Sequence, residues 1–131
     1  MADVRPFQLS DLNRMEIHPS HAPLRPLVMR NWLVTRPLLE NDFSWTLWVD
    51  GEPKLAAGIM DDGVGWAFLA ADMRGCMVRA TREARKILHA FAVLRGPVHA
   101  DIDTSSPEAV RWAVALGFEP TGDPTRWVIE E

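Results

Sequence analysis

The chain has 131 residues but no tyrosine, a single cysteine and only two lysines, Lys54 and Lys86. Without tyrosine, no phenol is available for proton transfer anywhere in the molecule. With Cys76 alone, no disulfide can form within the chain and no cysteine-based metal site exists. Cys76 also lacks the local signature of a catalytic thiol and reads as a small hydrophobe in a loop. No apolar run approaches the roughly 20 residues needed to cross a bilayer. Met1 to Arg5 are polar and lead directly into a strand-like run, so no signal peptide is expected. A net charge of −4 provides no whole-chain attraction to nucleic acid or anionic lipid, and neither is expected as a partner. The expected location is a reducing cytoplasm. Basic charge is mostly arginine, which suits bidentate anion contacts, although genomic composition explains the same skew.

What is present is an ordinary globular balance, 47% apolar and 24% charged, which predicts one domain over residues 1–131 with a core of its own. Val4 to Phe7 reads as a first strand. Ser10 then caps a helix from Asp11 to about Ile17, with Asp11 near its positive end. Pro19 and Pro23 break that helix into a loop carrying His18 and His21. A second helix is predicted from Pro26 to Arg36, ended by Pro37. The middle reads as a three-stranded antiparallel meander. Trp45 to Val49 turns at Asp50-Gly51 into Lys54 to Met60, and Asp62-Gly63 leads into Val64 to Ala71.

A helix from about Thr81 to Leu94 follows, with Ala84, Ile87, Leu88, Phe91 and Ala92 at helical spacing. Val98 to Ile102 is the next strand. Ser106 and Pro107 then mark a helix start, and Gly117 its left-handed stop. Short strands near Glu119 and at Arg126 to Glu130 close the chain. Trp45 and Trp48 fall on opposite faces of their strand, so at least one is expected to be partly exposed.

The stretch Ser106-Pro-Glu-Ala109-Val-Arg-Trp112-Ala113-Val-Ala-Leu116-Gly117-Phe118 resembles the last helix of the GNAT acyltransferases, where N-x-x-A-x-x-L-Y-x-x-x-G-F recurs. The predicted order β-α-α-β-β-β-α-β-α-β-β is similar to theirs over essentially the whole chain. The resemblance implies an α+β fold with a mixed central sheet and helices on both faces. The strands Val64–Ala71 and Val98–Ile102 would be parallel neighbours, joined by a right-handed crossover. It also implies an acyl-CoA whose pyrophosphate sits on an R/Q-x-x-G-x-G/A loop opening the crossover helix.

Here that loop aligns with Asp72-Met-Arg-Gly75-Cys-Met77. Gly75 agrees with the pattern, Asp72 would repel phosphate and Met77 would crowd it. Arg74, Arg79 and Arg82 are the candidate compensating donors, so the candidate cofactor-binding set is Arg74, Gly75, Arg79 and Arg82 for acetyl-CoA. A solvated arginine-rich loop explains the same residues.

The family's catalytic tyrosine position is Ala113, and the meander strand Val64–Ala71 has no carboxylate to act as base. By resemblance, His18 and His21 border the acceptor site, and His99 lies at the splay between the two strands. Each also reads as an ordinary histidine, and none has partners for a metal site. Thr104-Ser-Ser106 lacks the G-x-S-x-G elbow of a hydrolase.

The chain is further similar to small GNAT-like proteins of short-tailed bacteriophages, those of the internal virion protein A type. The shared cues are Val4-Arg-Pro with Asp11 following, Ala57-Gly58, Gly65-Trp66-Ala-Phe68, the Arg82/Arg85/Lys86 helix, and Asp103-Thr-Ser-Ser106 leading to Arg111-Trp112 and Gly117. That resemblance implies a phage protein in a bacterial host cytoplasm or virion, meeting portal, tail or core proteins. Two functions therefore stay open: a degenerate acyltransferase domain that binds proteins in virion assembly, and an active acetyl-CoA-dependent N-acetyltransferase.

Overall fold

The computed structural model describes residues 2–19 and 24–130, the Arg25 side chain excepted. The expectation for His21 lies outside the described residues. The elements are β1 (Ala2–Pro6), α1 (Asp11–Arg14), α2 (Leu24–Arg30), α3 (Trp32–Leu39), β2 (Trp45–Val49), β3 (Glu52–Ile59), β4 (Gly65–Leu69), α4 (Met77–Leu94), β5 (Val98–Asp101), α5 (Pro107–Leu116), β6 (Glu119–Pro120) and β7 (Arg126–Ile129).

The strands β1-β2-β3-β4 form an antiparallel sheet, and β5-β7-β6 form a second one. The meander is as the turn chemistry predicts. Asp50 and Gly51 both take positive φ, 51° and 80°, the two left-handed positions that an Asp-Gly hairpin supplies. The expected mixed sheet is thus split in two, and a single parallel bridge, Val64 with His99, joins the halves among the described residues.

Two apolar layers sandwich the first sheet. On one face Trp45, Leu47, Leu55, Ala57 and Ile59 pack with Ala80, Ala84, Leu88 and Phe91 of α4, with Ala113 and Leu116 of α5, and with Val98 and Trp127. On the other, Ala56, Phe68 and Ala70 meet Phe7, Leu9, Leu12, Met15, Ile17 and Leu39. Strand alternation produces this division, because successive residues of β3 point to opposite faces.

Several local expectations give way to packing. α1 stops at Arg14 instead of reaching Ile17, because Met15 and Ile17 are drawn into the second core. Ser10 makes no side-chain cap. Asp11 instead ties the helix start to its surroundings: its Oδ2 accepts the Gln8 N–H, ahead of the helix, at 3.0 Å and the hydroxyl of fully buried Thr46 at 2.7 Å. Asp11→Ala would leave the buried Thr46 hydroxyl without its acceptor and the Gln8 N–H without its partner. It should lower stability by about 2 kcal/mol, read as a fall in the denaturant midpoint with unchanged m-value.

The predicted helix from Pro26 to Arg36 is two helices, and Pro37 lies inside the second instead of ending it. α4 begins four residues early, at Met77. Trp45 and Trp48 do face opposite ways, but neither is exposed. Trp45 is in the first core, and Trp48 is covered by the guanidinium groups of Arg5 and Arg14, 5.0 and 4.9 Å from its ring centroid. α5 matches its sequence signals: Ser106 Oγ accepts the Ala109 N–H, Pro107 opens the helix and Gly117 ends it at φ 103°.

Candidate functional site

The site is a gap in the sheet. β4 and β5 touch at their starts, where the His99 N–H donates to the Gly63 carbonyl at 2.8 Å, and beyond that bridge they belong to separate sheets. The hydrogen-bonding phase of β4 follows from its neighbours. The Met60 N–H donates to Val64 O and the Ala70 N–H to Lys54 O, so the even-numbered residues of this strand face β3. The peptide groups of Gly65, Ala67 and Leu69 therefore point the other way, into the gap.

Part of that edge is already occupied. The segment after α1 lies against it as a short antiparallel strap, with Ile17 bridged to Ala70. The His18 N–H donates to Leu69 O at 2.7 Å and the Ala71 N–H to Glu16 O at 2.6 Å. The strap leaves Ala67 as the outward peptide group between the bridge at Val64 and the strap at Leu69. It is the feature sequence reasoning missed; its only local signal is Pro19, which keeps His18 extended.

His18 is thereby placed at the far end of β4 and His99 at its near end. Five residues of strand separate the Val64 and Leu69 positions they occupy, roughly 16 Å. Their backbones therefore stand at opposite ends of the strand.

The loop from Asp72 to Cys76 carries β4 into α4. Gly75 has φ 76° and open space where a side chain would stand, which suits close approach of a ligand to the backbone. The first amides of α4, on Met77, Val78 and Arg79, have no backbone or side-chain acceptor among the described residues. Donors of this kind at a helix start attract phosphate.

The arginines are arranged less favourably than the sequence reading expects. Arg74 Nε and Nη2 donate to Asp72 Oδ1 and Oδ2, both at 3.0 Å, and the Arg74 N–H donates to Oδ1 as well. The side chain and then the backbone amide of Arg74 hold the Asp72 carboxyl far below the usual carboxylate range. Arg79 Nε donates to Glu83 at 3.0 Å. Arg82 is exposed and carries no ion pair among the described residues. The four candidates therefore share one helix start, but only Gly75 and Arg82 are uncommitted.

Met73 is partly buried and packs against both cores, one on each side of the sheet, so it sits at the open edge of β4. Met77 is half-buried. Ala113 is 1% exposed, inside the first core. Its neighbour Trp112 reaches α4 instead, donating Nε1–H to Thr81 Oγ1 at 3.0 Å. A pocket of about 290 Å³ opens beside the strap, lined among others by Arg14, Glu16, Lys54 and Asp72. Another of about 360 Å³ lies between α1 and α3, lined by Asn13, Trp32, Arg36 and Glu40 among others. No group of three or more potential metal ligands occurs among the described residues. No helix there is long and apolar enough to cross a membrane.

No family model matches the chain, and no curated protein matches it in sequence. Its shape does match. Aminoglycoside acetyltransferase AAC(6')-Ib in complex with coenzyme A and kanamycin superposes with a TM-score of 0.63 at 17% identity, over 100% of this chain and 95% of that one. The same enzyme with coenzyme A gives 0.56 at 16% identity and the same coverage. The chain has the GNAT acetyltransferase fold over its whole length.

Proposed function

We propose that the protein binds an acyl-CoA between β4 and β5 and passes the acyl group slowly to an amine. One observation carries this reading: unaccepted amides at the start of α4 stand at the end of a sheet gap into which the Ala67 peptide group points. The fold it shares with a coenzyme A-binding acetyltransferase supports it. The Gly75 loop fits a diphosphate, Met77 narrows that cradle, and Asp72 opposes it. In this reading the amides of Met77, Val78 and Arg79 hold the phosphates, with the uncommitted Arg82 as side-chain donor.

Bound acyl-CoA supplies the activated thioester. The Ala67 backbone orients it along the strand edge. His18, at the end of that edge, accepts the proton released as the acceptor nitrogen forms its bond to the acyl carbon. No side-chain acid stands at Ala113, so the proton for a leaving thiolate would have to come from solvent. That is why transfer is slow.

The test is a thermal shift with acetyl-CoA, alone and in Asp72→Asn. Ligand at about a hundredfold over Kd should stabilise the wild type by about 2.7 kcal/mol. Asp72→Asn frees the Arg74 guanidinium and removes an anion, so Kd should fall roughly tenfold. Acid does not substitute for the mutation. A carboxyl with a depressed pKa keeps its pair above the ordinary carboxylate range and loses it only as pH falls through the lowered value. Affinity at about pH 5 should therefore remain that of the wild type at neutrality. No shift in either protein would sink the proposal.

A second reading is favoured by the Asp72–Arg74 pair itself, which neutralises the loop's own arginine. In that reading the domain is a degenerate transferase that binds phage portal, tail or core proteins during virion assembly. Its support would be capture of such a protein without any CoA, together with a silent thermal shift.

A further inference from the structure

The strap across the end of β4 brings an unpaired strand edge of its own. A trans peptide group points its N–H and its C=O in opposite directions. Glu16 O accepts the Ala71 N–H, so the Ile17 N–H of the same peptide group points away from β4. The His18 N–H donates to Leu69 O, so the Ile17 C=O points away from β4 as well. Both are therefore directed to the side on which β4 parts from β5.

Neither group has a hydrogen-bond partner among the described residues, although Ile17 is only 8% exposed. Backbone groups so nearly buried are paired with protein, with water or with a ligand, because leaving them unmade costs about as much as a lost hydrogen bond. Water can serve this pair while the gap is free, and a chain lying in the gap takes it over. The backbone is also held still. The Ile17 side chain is buried in the second core with Met15, and the two bonds to β4 flank it on either side. A donor and an acceptor fixed side by side are what a strand edge offers to an extended chain.

Position identifies the chain. Along the β4 edge come Ala67, then the strapped residues Leu69 to Ala71, then the Gly75 loop and the start of α4. An acyl-CoA with its phosphates at Met77 to Arg79 and its thioester at Ala67 must carry its connecting arm past the strap. That arm is itself built from amides, and the β4 groups Leu69 O and Ala71 N–H are already taken. We propose, resting on that acyl-CoA reading, that the Ile17 N–H donates to the arm and the Ile17 C=O accepts from it. The strap, and not β4, is then the edge on which the arm lies, one strand spacing of about 4.8 Å outside the edge of Ala67. Displacing the strap instead would free Leu69 and Ala71, but it would pull Ile17 from the core and carry His18 off its place.

The test pairs two substitutions with an exchange measurement on the unaltered protein. Ile17→Pro removes the N–H, whereas Ile17→Ala keeps it and gives up more of the buried side chain. Acetyl-CoA affinity, by titration calorimetry, should fall roughly tenfold in Ile17→Pro and less than about twofold in Ile17→Ala. In the wild type, saturating acetyl-CoA should slow hydrogen exchange of the Ile17 amide roughly tenfold or more and leave the His18 amide protected. Bound acetyl-CoA that leaves Ile17 exchange unchanged would overturn the inference while the acyl-CoA reading stands. So would equal affinity in a folded Ile17→Pro protein. Loss of His18 protection on binding would do the same, since it would mean that the ligand displaces the strap. A wild type that does not bind acetyl-CoA would overturn both.

Discussion

Gly58→Val is expected to be the most damaging single change in the sheet, costing about 3–4 kcal/mol. The position lies on β3 opposite Trp66 of β4, on the face covered by α1 and α3. A side chain there meets three atoms at once: Ser44 Cβ at 2.8 Å, Ser44 Cα at 2.9 Å and Trp66 Cζ2 at 2.9 Å. Two of these are fixed. The Ser44 Cα is backbone, and the chain there is tied down by Phe7 N–H donating to Ser44 O and by Ser44 Oγ bonding to Asn41.

The indole is no freer. Its ring sits edge-on to Phe7 at 4.9 Å and to Phe68 at 6.1 Å. Even Gly58→Ala must push the Ser44 backbone aside, and valine adds two methyl groups with nowhere to go. A melting temperature lower by roughly 10 °C or more is the measurable result, from calorimetry or circular dichroism. A Gly58→Val protein that melts like the wild type would show that β2 and β4 are not held together as described.

The need for glycine at this point could not be read from the sequence, because the crowding atoms come from Ser44 and Trp66. Elements governed by neighbouring residues were legible. The Asp50-Gly51 hairpin and the Ser106, Pro107 and Gly117 boundaries of α5 are set within a few residues of chain, and each stands as its chemistry predicts. The apolar spacing of α4 likewise placed Ala84, Leu88, Phe91 and Ala92 in the core. Elements decided at a distance were not. Ile17 leaves its helix to pair with Ala70, and two arginines from different elements close over Trp48.

The site divides the same way. The charge of Asp72 was legible in the loop before α4. That Asp72 would capture Arg74 depends on a loop conformation with Gly75 at φ 76°. The strap across Leu69 to Ala71 was illegible, since Pro19 keeps His18 extended but does not name Ala70, 53 residues beyond Ile17, as a partner.

Introducing a phenol by Ala113→Tyr should not supply an acid. It should instead cost about 3 kcal/mol or more. Ala113 is enclosed by the first core, with Leu116 and Phe118 following on the same helix end and Trp127 on the second sheet. Its carbonyl accepts the Phe118 N–H at 3.0 Å, part of the turn that ends α5 at Gly117, so the backbone cannot swing out to make room. A tyrosine ring there must expel a neighbour or force the helix off α4. Its hydroxyl would then be buried among apolar groups without a partner, which adds a further penalty.

The space a phenol would take has been closed by packing, and Trp112, the adjacent residue, is committed to Thr81 of α4. Calorimetry and a CoA-release assay with an amine acceptor separate the outcomes. Lower stability with no faster thiol release is expected. A stable Ala113→Tyr protein with accelerated release would mean that this helix position opens onto the gap, and that the chain lacks only one hydroxyl to be an efficient transferase.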